Sequence, residues 1–146
     1  MRATKLVITI KNLTYKDRLK RLKWPTLKYR RIRRDMIEVY KILTNSYDSR
    51  VNLYLKKQQD SITRGHSLKF ANNRYHYDLR KFSFAPRIVN LWNNLPEIVI
   101  SSDTTDTFKR RLDKSWQHQD MLYDYKVELT GVGNRSQINA DDTIVL

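Results

Sequence analysis

Asn139-Ala140-Asp141-Asp142 places two adjacent carboxylates close to the C-terminus, the pairing that two-metal phosphoryl transfer uses. That chemistry needs a third carboxylate from a preceding strand. Here the pair ends a stretch without periodicity and lacks an aromatic residue before it, so it reads as an acidic tail. Asp103, Asp106 and Asp113 could form a nuclease-like cluster, but Asp103 and Asp106 sit where a helix start takes caps and negative charge. The histidines His66, His76 and His118 are too dispersed for a metal motif, and no carboxylate keeps a set spacing from them. The absence of cysteine excludes disulfides, thiolate zinc sites and thiol catalysis. There is no Gly-rich phosphate loop and no Gly-x-Ser-x-Gly elbow. The expectation is a chain without a catalytic centre, metal or cofactor.

The positive chemistry is cationic. The 146 residues carry a formal net charge of +14, and residues 1–34 hold 13 basic residues against one acid, Asp17. Such a polarised block attracts polyanions and repels itself when none is bound. Nucleic acid is the commonest such partner; an anionic membrane surface and an acidic protein are the others. Lys16, Lys20 and Lys23 fall on one flank of a first helix, and Arg30, Arg34 and Lys41 on the outer face of a second. Phosphates are neutralised by such residues without reading sequence. Arg33, Arg64 and His66 complete the candidate contacts. His66 beside Arg64 suits a phosphate contact or base stacking, and equally a turn-stabilising role. The plainer reading of the whole ridge is a solvated helix face. Trp92, Trp116, Phe82 and Phe84 are spaced as core residues. Tyr75 and Tyr77, in more polar surroundings, are better placed for stacking.

These side chains need helices to carry them. Thr14, with Asp17 three residues on, marks a helix start, Tyr15, Leu19 and Leu22 share a face, and Pro25 ends the helix. From Thr26 or Leu27 to about Ser46, Ile32, Met36, Val39, Tyr40 and Leu43 recur at helical spacing. Arg31 lies on a flank with Asp35 and Glu38, in reach of intrahelical pairs. A short helix or strand is expected near 51–55. Partial alternation over 67–84 predicts a β-hairpin. Pro86 suits a helix start, and Ile88, Val89, Trp92 and Leu95 line a face that Pro96 closes. Phe108, Leu112 and Trp116 mark a last amphipathic helix. The fold class is mainly α: one small helical domain with one β-hairpin and a loose C-terminal tail. Its parts are a basic helical hairpin at 1–47, the hairpin and two amphipathic helices at 48–118, and a flexible tail at 119–146. A mean hydropathy of −0.71 implies a thin core, but 11% aromatic residues argue against a disordered chain. No run approaches a membrane span.

The order of segments is distinctive. Arg2-Ala3-Thr4-Lys5-Leu6-Val7, Tyr15 to Leu22, Pro25-Thr26-Leu27 with Tyr29-Arg30-Arg31, and Asp35 to Leu43 follow one another. Thr63 to Lys69, Arg80-Lys81-Phe82-Ser83-Phe84, Arg87 to Pro96, Phe108 to Asp113 and Leu122-Tyr123-Asp124-Tyr125 complete the series. Over roughly residues 2–125 this set resembles the region that follows the polymerase domain in non-LTR retrotransposon reverse transcriptases of the jockey-like kind. Arg34 stands where such sequences usually have Gly, and Ile8 where they often have Pro. The resemblance implies an intracellular, non-catalytic C-terminal segment, in the nucleus or cytoplasm, with Met1 a chance start. The polymerase and its aspartates would lie upstream, and the segment would contact RNA or an RNA–DNA duplex. Two other readings fit the same residues: a structural module docking on the polymerase domain, and a decayed fragment without function.

Overall fold

The structure, a computed structural model, describes residues 3–44, 66–71 and 83–129. It is mainly helical. Two short 3-10 turns, Ala3–Leu6 and Ile8–Ile10, lead into α1 (Tyr15–Leu22) and α2 (Leu27–Leu43). Later come α3 (Phe84–Asn93), the single-turn α4 (Glu97–Ile100), α5 (Thr105–Ser115) and a closing 3-10 turn, Asp120–Leu122.

α1, α2 and α5 each start where a hydroxyl can satisfy an orphan amide. Thr14, Thr26 and Thr104 accept from the amides of Asp17, Tyr29 and Thr107. In α1 the Thr14 hydroxyl also donates to the Asp17 carboxylate at 2.6 Å, so the two side chains brace each other at the helix start. α1 stops at Lys23, whose φ of 54° and ψ of 35° are left-handed. The Trp24 amide returns to the Leu19 carbonyl at 3.0 Å and the Lys23 amide to that of Lys20 at 3.1 Å. That is the Schellman pattern, with lysine where glycine is usual.

α2 is the spine. It packs against α3 and α5, and α4 packs against α5. Met36 and Val39 of α2, Ile88 and Trp92 of α3, and Phe108 and Leu112 of α5 are completely buried. Each such side chain contributes about 1.5–3 kcal/mol relative to exposure. Tyr40 stacks on Phe108 with ring centroids 4.4 Å apart. Its hydroxyl donates to the Ser102 carbonyl beyond α4, which satisfies the one polar atom that burial of this ring would strand. Trp92 and Trp116 are both core, as their spacing predicts.

The expected β-hairpin over 67–84 is not supported. Phe84 opens α3, no strand occurs among the described residues, and 72–82 lie outside them. What the alternation at Leu68 and Phe70 reports is a segment laid against α3. The Phe70 amide and carbonyl both bond the Asn93 side-chain amide at 2.8 Å. The Trp92 indole donates to the Leu68 carbonyl at 2.9 Å. The Asn93 carboxamide thus takes up both backbone hydrogen-bonding groups of Phe70, as a neighbouring strand would. The element expected at 51–55 also lies outside the described residues.

The chain just after α5, expected to be loose, is packed as far as 129. The Thr26 amide and hydroxyl bond the carbonyls of Leu122 and Met121, both at 2.8 Å, and Met121 is fully buried. Lys28 reaches the Val127 carbonyl and pairs with Glu128. Residues 130–146 lie outside the described residues. α1 rests on the N-terminal 3-10 turns and meets this strap through Tyr15 and Tyr125, edge to face at 6.1 Å, instead of lying along α2.

Candidate nucleic-acid interface

The fold divides the basic residues into those it engages and those it leaves to solvent. Arg33 belongs to the first group. At 100° per residue it falls between Met36 and Ile37, inside the buried sector of α2, and its guanidinium forms a two-pronged pair with Asp113 of α5, the second contact at 2.8 Å. The carboxylate's hydrogen bond raises the Arg33 pKa further above its already high value. Asp113 thus clamps Arg33 from α5. Lys16 pairs with Asp124 at 3.3 Å and Lys41 with Glu38 at 3.5 Å. The Asp124 pKa is lowered, first by the hydrogen bond from the Lys126 amide and then by Lys16.

Lys20, Lys23, Arg30 and Arg34 are exposed and make no ion pair among the described residues. Arg21 and Arg31, absent from the sequence-level candidates, share that condition. The intrahelical pairing expected of Arg31 does not form, because Asp35 receives Arg87 of α3 at 2.9 Å and Glu38 pairs with Lys41. A carboxylate at i+4 is available to more than its own helix, and α3 supplies the nearer cation. Arg31 instead borders an open groove of about 680 Å³ between α2 and α3, with Leu27, Ile32 and Leu91 on its walls.

His66 is buried at 3% exposure, so of its two sequence-level roles the structural one fits the geometry. A carbonyl can only accept, so Nε2–H donates to the Trp92 oxygen at 3.0 Å, and the ring meets the Trp92 indole edge-on. A ring held there cannot reach a phosphate in solvent. Arg64, Tyr75, Tyr77, Phe82, His76 and the Asp141-Asp142 pair lie outside the described residues. Asp106 pairs with Lys109 at 3.1 Å in the first turn of α5, whose cap is Thr104 rather than Asp103. Among the described residues no three histidine or carboxylate side chains gather as metal ligands would, and no helix is long and apolar enough to cross a membrane.

One aromatic outside the core is Trp24, 55% exposed in the link between α1 and α2. In the sequence it belongs to no apolar periodicity and sits between a helix stop and Pro25. No family model matches the chain, and no curated protein or solved structure does either.

Proposed function

We propose that this chain is a non-catalytic nucleic-acid-binding module, the segment following the polymerase of a non-LTR retrotransposon reverse transcriptase, and that it grips the phosphates of RNA or of an RNA–DNA duplex. The observation that carries this reading is the sorting of cations. The fold engages Arg33 and Lys16 in pairs, yet leaves Lys20, Lys23, Arg30 and Arg34 exposed and unneutralised within 15 residues of chain. A cluster kept unpaired at the cost of self-repulsion is suited to a polyanion that releases counterions on binding.

The test is a salt titration of the full chain against a single-stranded RNA and an RNA–DNA duplex. The affinity should fall with a log–log slope of about −0.7 to −0.9 for each phosphate neutralised. The double variant Arg30→Ala, Arg34→Ala should flatten that slope. Arg33→Ala should leave it unchanged and lower stability by about 1 kcal/mol, the worth of a half-exposed pair. A salt-independent affinity would sink the reading.

A second reading rests on Leu6 and Ile8, 82% and 80% exposed on the N-terminal 3-10 turns. Exposed aliphatic side chains on a flank of an otherwise packed domain fit docking onto a neighbouring polymerase domain. Capture of a polymerase domain that survives nuclease treatment and is lost in Leu6→Ser, Ile8→Ser would support it.

A further inference from the structure

Phosphate contacts alone do not distinguish a duplex from a single strand, whereas an exposed aromatic ring can. We infer that the Lys23–Trp24 link is a base-stacking site, so that the preferred ligand is a single strand in which one unpaired base lies on the Trp24 indole while Lys20 and Lys23 hold its flanking phosphates. This rests on the nucleic-acid reading above and narrows it to one ligand class.

Three observations carry it. First, Trp24 keeps 55% of its surface exposed, although Trp92 and Trp116 are at most 4% exposed. The residue at its position in a Schellman motif ordinarily packs on the residue five before it; here that residue, Leu19, is itself only 3% exposed, yet more than half of the indole faces outward.

Second, the backbone beneath the ring is fixed. The Trp24 amide is tied to Leu19 at 3.0 Å, Pro25 follows, and Thr26 is anchored twice to the strap at 2.8 Å. A ring with only two rotatable bonds on such a backbone loses little entropy when a base covers it.

Third, the residue beside it is the only described non-glycine with a positive φ, and it is a lysine. Left-handed geometry costs a residue with a Cβ roughly 1–2 kcal/mol. Strained positions of this kind gather at functional sites. With Lys20 and Arg21 exposed just before it, the indole is set among cations, the combination that single-strand binding uses. An anionic membrane is the weaker fit. Interfacial helices bind through a wide apolar face, whereas Met36 and Val39 of α2 and Leu19 of α1 are already buried within the fold.

The experiment uses the full chain and its tryptophan emission, with four probes: a 12-nucleotide oligouridine, an abasic oligomer of equal length, a 12-base-pair duplex, and vesicles of phosphatidylcholine with phosphatidylserine. Oligouridine should bind more tightly than the abasic strand and quench emission, since Trp24 is the one solvent-facing indole. Trp24→Ala should abolish the quenching and weaken oligouridine binding about 5- to 150-fold. Its affinity for the duplex and the abasic strand should not change. Trp24→Phe should retain most of the affinity. Equal binding of the abasic strand and oligouridine, or equal losses of Trp24→Ala on all three nucleic acids, overturns stacking while leaving the phosphate reading intact. If none of the three nucleic acids binds, both readings fall. A blue shift of Trp24 emission on vesicles, at concentrations where oligouridine does not bind, also overturns the inference and assigns the link to a lipid surface.

Discussion

Arg33 and Arg30 are three positions apart on one helix and have opposite fates. What separates them is angle: Arg33 lies within the sector that faces α5, and Asp113 meets it there. A one-dimensional count of charge could not tell them apart, but a projection that included Tyr29, Ile37 and Tyr40 with the apolar stripe would have done so. Tyr29 illustrates a further consequence of the same contact. Burial, and then the nearby Asp113 carboxylate, push its pKa up to about 12. The unfolded tyrosine ionises near 10. Between those values the unfolded chain gives up a proton that the native chain keeps, so stability falls with rising pH. The stabilisation is complete below about pH 10 and is lost as pH approaches 12, a decline on the order of 2 kcal/mol from this ring. Chemical denaturation at pH 9, 10 and 11 should show about 1 kcal/mol of that decline, and Tyr29→Phe should reduce it. Among the described residues Tyr40, whose pKa burial also raises, stays in the variant and accounts for a remaining slope. Parallel declines in the two proteins would refute the assignment.

The α1–α2 joint combines the strongest local signals in the sequence with its clearest departure from local preference. Thr14, Thr26 and Pro25 mark the helix ends legibly, because capping and proline geometry are short-range. Nothing short-range announces that the stop between them is a left-handed lysine. Relieving that strain gives a direct check. Lys23→Gly should stabilise the isolated chain by about 0.5–1 kcal/mol, the gain in φ freedom being offset in part by the unfolded state. The same variant should bind nucleic acid less well. A destabilised Lys23→Gly would mean that the lysine side chain makes a contact outweighing its backbone cost. The hairpin expected over 67–84 went the other way. Alternation at Leu68 and Phe70 is real, and the Phe70 backbone groups bond the Asn93 carboxamide on a helix, but a pattern of period two cannot specify what lies across from it.

Across the molecule, the amphipathic faces of α2, α3 and α5 were readable because helical periodicity and burial coincide there. The strap at 119–129 was not, since its hold depends on carbonyls of Met121 and Leu122 meeting a threonine 95 positions earlier. Met121 seals the core from that side, and Met121→Ala should cost about 2–5 kcal/mol. Far-ultraviolet and tryptophan signals should still report one shared unfolding transition. If the helical signal outlives the tryptophan signal, the strap closes a subdomain instead of the whole core. That 95-residue span also bears on how the chain is made. At about 5–20 residues per second, the cationic α1–α2 joint leaves the ribosome several seconds before its anchor is synthesised. During that interval its lysines and arginines stand on a nascent chain beside ribosomal and messenger RNA, with the Thr26 latch still open. The latch can close only once Met121 and Leu122 have emerged, so the joint acquires its native anchor late in synthesis and its lysines and arginines are among the first charged surfaces of the fold to stand in solvent.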